Sequence, residues 1–358
     1  MKKSLIALAV LGSFAGAASA ANTVTLWGKV DTAYEAGSTK TTTVMVAGGV
    51  ALPATSTSST NKVRMSNADE SRIGIKVSED LGSGLSAFVR LEGAMTSDVG
   101  SSVGFGRETV IGLKGNFGSV YFGRSVNPVD KITIGVGNRA GDMGATIKGG
   151  ARWSNSAFYA YENNGLSAYA AVSTKGGAIG NFPNETGAGQ KTAYGVSLKY
   201  AGEINNKMGY SVAAGYSRNA VAGLKSEWLV NGTFSYSPVT TGLSYSQHTD
   251  DYTVLGDSDS YKGYKYRAFV AADVTSNDNV YLQYTGEKDT YKVAGVTTFT
   301  KKTSTWGLGY AHSLSKRTAV FADVGRSTVK DKLYLGGGDY ITAKTRTTSY
   351  NIGMRHSF

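Results

Sequence analysis

The chain contains no cysteine, three histidines and four prolines, and beyond its first twenty residues it has no long apolar run. Without cysteine it forms neither disulfides nor thiolate metal sites. Soluble secreted proteins of this size often rely on disulfides, whereas a membrane barrel does not need them. No segment after residue 21 approaches the ~20 apolar residues of a spanning helix, so a membrane form of this chain has to be a β-barrel. His248, His312 and His356 fall on three different expected strands, and neither a metal site nor a Ser-His-acid triad can be assembled from them. Leu335-Gly336-Gly337-Gly338 lacks the lysine and the strand–helix setting of a phosphate loop. No enzyme, metal or cofactor is therefore expected, and an outer-membrane barrel enzyme has no positive support.

The first twenty residues have a pattern of their own. Lys2 and Lys3 precede a short apolar stretch from Leu5 to Ala18, and Ala18-Ser19-Ala20 is a small-residue cleavage site. This is the plan of a secretory signal peptide (residues 1–20) cut before Ala21. The alternative, a short membrane anchor, is disfavoured by its length and by Gly12, Ser13 and Gly16. Cleavage removes Lys2 and Lys3, which takes the formal charge from +11 to +9 and leaves 338 of the 358 residues as one domain, 21–358. Nucleic-acid binding would gather Lys and Arg into one patch or helix, but here they are scattered, so no nucleic-acid partner is expected. A solvated surface, a basic pore lining and a face toward anionic lipopolysaccharide remain open.

The 47 glycines and 22 tyrosines suit many strands joined by tight turns. Short turns are expected at 80–84, 115–118, 163–165, 202–207, 237–240, 275–279 and 313–317, where Gly, Asn, Asp, Ser and Pro cluster. Long polar connections lie at 36–67, 96–106, 126–154, 175–191, 218–226, 250–262, 290–303 and 328–347. Seven turns and eight loops join sixteen strands, and this short-long asymmetry is that of an outer-membrane barrel. Leu85, Ala87, Val89 and Leu91 alternate with Ser86, Phe88, Arg90 and Glu92, a two-residue period with charge on one face only. Tyrosines recur near strand ends, for example Tyr200, Tyr216, Tyr245, Tyr264 and Tyr310, as in an interfacial girdle. A soluble β-sandwich alternates in the same way; the export signal, the strand count and the last residues favour the barrel.

Those last residues alternate cleanly. Tyr350, Ile352, Met354, His356 and Phe358 share one face, and Asn351, Gly353, Arg355 and Ser357 share the other. The expectation is a closing strand that pairs with the first and removes the sheet's edges. Residues 36–67, rich in Thr and Ser, are expected to be a flexible surface loop, and 126–154 carries mixed charge of the kind functional loops have.

Several motifs, in order, resemble the general porins of Gram-negative bacteria. They are Val24-Thr-Leu-Trp-Gly-Lys-Val-Asp31, Ser71-Arg72-Ile73-Gly74 with Glu79 to Leu85, Arg107 to Leu113 with Gly118 to Arg124, and Met354-Arg355-His356-Ser357-Phe358. The last is similar to the ending of β-proteobacterial, neisserial-like porins. The resemblance implies an all-β, sixteen-stranded antiparallel transmembrane barrel in the bacterial outer membrane, with the third long loop folded inward. It also implies a homotrimer, and an alternating terminus read by the barrel-assembly machinery. Outer-membrane lipid, lipopolysaccharide, small hydrophilic solutes and anions would be its other partners.

In such a pore, acidic groups on the loop face a basic wall. Parity places Lys29, Arg72, Lys76, Arg90 and Glu92 toward the lumen if Leu26, Val30, Ile73, Ile75, Val89 and Leu91 face lipid. Arg107 stands where the family has a wall arginine, on a strand whose uneven alternation suggests a bulge. Arg124 shares parity with Phe122, which would turn it toward a neighbouring subunit. The loop offers Asp130 and Asp142 but also Lys131, Arg139, Lys148 and Arg152, which makes it net basic. Many family members carry an inward arginine just after this loop, where this chain has Phe158 or Glu162. The expected function is an anion-preferring general diffusion porin. The alternatives are a substrate-specific channel and an adhesin or structural barrel acting through its surface loops.

Overall fold

In a computed structural model, residues 23–66, 71–100, 103–136, 152–174, 192–219, 224–254 and 257–358 are described, without the side chains of 61, 62, 66 and 251–259. The expected signal segment and three loop candidates, Arg139, Asp142 and Lys148, lie outside them. The described strand segments form one antiparallel sheet that closes on itself. The sixteen staves are β1 (Thr23–Ala47), β2 in two pieces (Thr55–Ser66 and Arg72–Gly82), β3 (Leu85–Ala94), β4 (Gly104–Gly115), β5 (Gly118–Val126), β6 (Arg152–Asn163), β7 (Leu166–Ser173) and β8 (Ala193–Asn205), followed by β9 (Met208–Arg218), β10 (Leu224–Tyr236), β11 (Val239–Val254), β12 (Asp257–Asp273), β13 (Asp278–Val293), β14 (Val296–Ser313), β15 (Thr318–Gly336) and β16 (Asp339–Ser357). Val50–Ala51 is a two-residue extension at the tip between β1 and β2.

Closure is made by the ends of the described chain. β16 runs along β1 from Lys29↔Ser357 to Val46↔Tyr340 without a register shift. One residue further, Gly28 and Phe358 exchange both backbone hydrogen bonds at 3.0 Å. The Phe358 ring lies over Gly28, and a Cβ at that glycine would meet its Cζ at 2.3 Å. A side chain at position 28 would push this ring off the seam.

The alternation has the sense of a lipid-facing barrel. Val196 (53 %) and Leu198 (57 %) are exposed on β8, while Ser197 between them is 4 % exposed. Ile111, Val212, Leu243 and Ile352 are likewise outward and exposed, and Ser211, Ser244 and Gln283 are inward. A soluble sandwich would do the reverse, because water would strongly penalise a continuous apolar outer band. Rings on neighbouring strands link into a belt, with Trp228–Tyr245 centroids 5.3 Å apart, Tyr245–Tyr264 6.1 Å and Tyr266–Tyr284 6.0 Å.

The short turns are built by side chains that cap them. Asp80 Oδ1 accepts the Gly82 N–H at 2.9 Å, and Asn205 Oδ1 accepts those of Lys207 and Met208 at 2.9 and 3.0 Å. On the other side, four expected loops are corrected: most of 36–67, 250–262, 290–303 and 328–347 is paired strand. Thr43↔Thr55, Val254↔Asp257, Val293↔Val296 and Gly336↔Asp339 close these hairpins near their tips. Threonine in three of them, 36–67, 290–303 and 328–347, favours strand, yet with water on both faces the four segments carry no apolar alternation to reveal it.

Replacing Phe358 with serine removes the ring that covers Gly28 but leaves the pore untouched. The folded, heat-modifiable fraction is expected to fall severalfold, with single-channel conductance of the surviving barrels unchanged.

Candidate functional site

The chain leaves β5 at Val126 and turns into the barrel. Asn127 starts the turn, its Oδ1 accepting the Asp130 N–H at 2.9 Å, and Asp130–Ile132 form one 3-10 turn. Val129 and Ile132 then bury against Ala213 of β9 and Leu229 of β10. Gly215 leaves room for them, since a Cβ there would lie 3.1 Å from Ile132 Cδ1. Three wall side chains supply donors to the loop's carbonyls: Ser197 Oγ to Pro128 (2.6 Å), Asn231 Nδ2 to Ile132 (2.7 Å) and Arg267 Nη1 to Ile134 (3.0 Å). Loop backbone that no strand pairs thus finds partners on the inner wall. In strand order this anchorage, on β8 to β12, lies half-way round the barrel from β1 to β4.

The inner face of β1 to β4 carries the cations expected from parity. Lys29 lies opposite Arg72, and Lys76 opposite Arg90. Carboxylates on the same wall hold them. Arg72 Nη1 lies 3.7 Å from Glu92 Oε1, which also takes the Arg107 Nε–H in a close bond. Arg90 Nη2 is 3.1 Å from Glu108 Oε1, which also accepts from Ser125 Oγ at 2.6 Å. Arg355 on β16 donates to Asp31 Oδ2 at 2.7 Å, and Asp31 is fully buried. Pairing does not cancel the charge: Lys29, Arg72, Lys76, Arg90, Arg107 and Arg355 face Asp31, Glu92 and Glu108, six cations against three carboxylates.

Aromatic faces hold the same cations in place. The Arg90 guanidinium sits 4.9 Å from the Tyr121 ring and 5.2 Å from Phe88, and Lys76 Nζ sits 5.3 Å from Trp27. Phe158, where an arginine was expected, stacks on Tyr121 at 5.0 Å. Glu162 accepts the Tyr169 hydroxyl. On the periplasmic side of the loop, a cavity of about 720 Å³ is lined by Lys76, Arg90, Lys114 and Lys131 with Tyr121 and Glu162. Lys131 also lies over Tyr169, 5.1 Å from its centroid. Burial pushes the Asp130 carboxyl up to about 6, against the opposing pull of Arg152 and Lys131. Arg152 opens β6 beside Val126 and is half-buried.

One position, Arg107, departs from simple parity because a bulge intervenes. Pairing shifts between Glu92 and Ala94, so the neighbours Arg107 and Glu108 both reach partners on the inner wall. It shifts again between Gly123 and Ser125, where Gly123 has φ +125°. Arg124 keeps the parity of the outward Phe122, and its guanidinium is tied within its own chain, to Gly106 O and Ser154 Oγ, each at 2.6 Å. Glu108 and Asp31 were not among the residues expected at the site. Asp31 shares the parity of Lys29 and Glu108 that of the inward Val110, so both could have been read that way. At the far end of the seam, Tyr350, Ile352, Met354 and Phe358 face outward and His356 Nδ1 meets Thr318 Oγ1 at 2.9 Å.

A closed sixteen-strand barrel, apolar outside, polar inside and narrowed by an inward loop, is an outer-membrane channel. The family model for Gram-negative porins matches residues 7–332, and the chain belongs to that family. It is 28 % identical over 385 residues to outer membrane porin protein 32 of Delftia acidovorans and 26 % identical over 402 residues to an outer membrane porin of Bordetella pertussis, each match covering all of both chains. Among solved structures it is similar to an anion-selective porin from Comamonas acidovorans, with TM-score 0.62, 25 % identity and coverage of 94 % of this chain and 100 % of that one. OmpT of Vibrio cholerae in its trimer form shares the fold, with TM-score 0.60, 16 % identity and coverage of 94 % and 100 %. The protein is a porin of the bacterial outer membrane.

The anchorage of the loop can be tested at one bond. Asn231→Leu removes the donor to Ile132 O and leaves a buried carbonyl unpaired, at a cost of about 1–3 kcal/mol. Flicker of the single-channel current is expected to rise at unchanged barrel yield.

Proposed function

We propose that this porin passes small hydrophilic solutes by diffusion and prefers anions. The observation that carries the preference is the cluster on the inner wall facing the anchored loop, in which the described residues Lys29, Arg72, Lys76, Arg90, Arg107 and Arg355 meet only Asp31, Glu92 and Glu108. In a narrow wet bore this excess raises the local concentration of anions and repels cations. Lys29, Arg72, Lys76, Arg90 and Arg107 supply the wall. Asp130, Lys131 and Arg152 contribute from the base of the loop, and Arg139, Asp142 and Lys148 are assigned to its remainder by sequence. The anion-selective relative from Comamonas supports the same sign.

The chain is also proposed to act as a homotrimer. Val30 and Tyr34 on β1 and Tyr350, Ile352 and Met354 on β16 form an exposed apolar strip across the seam, which Val24 and Leu26 continue below it. A band at three times the monomer mass in unheated detergent samples checks this. Tyr350 to Phe358 would serve the assembly machinery as its recognition strand. A channel with a preferred solute is the second reading, favoured by the cavity below the loop, where cations and aromatic faces converge. Saturable block of the current by an aromatic carboxylate would move the assignment to it. The adhesin reading loses its motive, since most of 36–67 is a paired hairpin.

The test is the zero-current potential across a planar bilayer under a salt gradient. Anion preference is expected, weaker at high salt because the screening length shrinks from about 10 Å at 0.1 M to about 3 Å at 1 M. Arg72→Gln with Arg107→Gln is expected to cut the anion-to-cation permeability ratio severalfold, and a cation preference in the unsubstituted protein would overturn the assignment. Asp130 adds a pH dependence. Above about 6 its carboxylate opposes the wall, and as pH falls through that value it gains a proton and the constriction becomes more basic. Anion preference is expected to rise between pH 7 and 5, and Asp130→Asn to remove that rise.

A further inference from the structure

The flexible loop that motivated an adhesin reading is absent, but the hairpin in its place is paired on one side only. From Thr55 to Arg64 the upper piece of β2 lies along β1. Among the described residues, no strand lies on its other side, and no backbone hydrogen bond crosses from it. β2 gains its second partner only at Arg72, opposite Ala94 of β3. From Arg64 to Thr55 the free edge runs about 30 Å. It stands at the long-loop end of the barrel, opposite the short turns, where its unpaired N–H and C=O groups meet water.

Natural sheets blunt such edges with charge, proline or a short strand. Here those guards stand only at the two ends, Pro53 above and Lys62 and Arg64 below, and Arg64 is tied to Glu35 of β1 at 3.3 Å. Between them Thr55-Ser56-Thr57-Ser58-Ser59-Thr60 carries no charge, and all six side chains are exposed. Pairing with β1 runs without a shift from Thr55 to Asn61. The segment is also close to a palindrome. About a centre between Thr57 and Ser58, an antiparallel copy places Thr55 opposite Thr60 and Ser56 opposite Ser59. Such hydroxyl pairs stabilise neighbouring strands. Leu52 and Val63, 45 % and 67 % exposed, lie equally far from that centre, so each comes toward the other's counterpart in the copy. Lys62 comes toward Pro53 rather than toward a like charge.

Direction chooses the copy. Barrels side by side in one membrane send this edge the same way, so it cannot pair antiparallel there. Barrels in two facing membranes are related by a twofold axis midway between them, which reverses the strand and keeps its tilt. We propose that the free edge of β2 pairs with the same edge of a second copy in a facing membrane, joining the two hairpins into one sheet. The inference rests on the outer-membrane barrel reading, which sets the direction of the edge. Six residues a side hold weakly alone, and the contact gains strength because many copies face one another.

The purified protein is placed in phosphatidylcholine vesicles, and clustering is read by turbidity, with protein-free vesicles as a second partner. Thr57→Lys/Ser58→Lys sets lysine against lysine across the centre, and Thr57→Glu/Ser58→Glu sets carboxylate against carboxylate. Both positions are exposed on the upper part of the hairpin, away from the narrowed bore, so barrel yield and conductance are expected to stay unchanged. Unsubstituted vesicles are expected to cluster with one another and not with protein-free ones. Clustering is expected to fall at least about tenfold for either variant alone and to return when the two are mixed. Dispersed unsubstituted vesicles, undiminished clustering of either folded variant, or a mixture that stays dispersed would overturn the proposal. Clustering with protein-free vesicles would assign the edge to lipid and overturn it too. The dispersed unsubstituted result needs no variant to fold. Current steps from the same vesicles separate the two readings: steps without clustering end this proposal alone, and absence of steps ends the channel reading whatever the turbidity.

Discussion

Everything in this molecule follows from one constraint: hydrocarbon offers no partner to a backbone N–H or C=O. A sheet in that medium cannot keep an edge, so β16 must find β1. The seam from Val46↔Tyr340 down to the reciprocal Gly28–Phe358 pair meets that demand. Once closed, the sheet has a lipid side and a lumen side, and the two-residue period sorts every stave between them. Val196 and Leu198 go out while Ser197 goes in.

A closed sheet of sixteen strands is too wide for its own side chains to fill. The interior is therefore wet, and it tolerates charge that a soluble core would exclude. The loop after β5 narrows this space without becoming a core: Val129 and Ile132 make a small apolar foothold, and Ser197, Asn231 and Arg267 satisfy its backbone. Across the bore, Glu92 and Glu108 hold the arginines in fixed positions while leaving the wall net basic. Geometry and charge thus come from separate groups. The acids and rings position the cations, and the proposed anion preference rests on the excess they leave uncancelled.

Much of this was legible in the sequence. The alternation of Leu85 to Leu91, the capped turns at Asp80 and Asn205 and the inward parity of Lys29, Arg72 and Arg90 follow from period and turn chemistry alone. What was not legible has physical reasons. The hairpin of 36–67 is polar on both faces, so it shows no period. Arg107 lies beyond a bulge, and one extra residue reverses the face that parity assigns to it.

The central claim is that the loop lies pinned against the inner wall of a closed barrel, so that the basic wall opposite it defines the bore. The natural absence of cysteine allows a clean test with one introduced pair, Val129→Cys and Gly215→Cys, at positions where a Cβ on residue 215 would lie 3.4 Å from Val129 Cγ2. The measurement is single-channel conductance before and after oxidation, with disulfide formation read by mass. The expected result is complete bond formation with unchanged conductance, because the bond joins two groups already in contact. Failure of the bond to form in folded barrels, or a change in conductance when it does, would mean that the loop does not rest there.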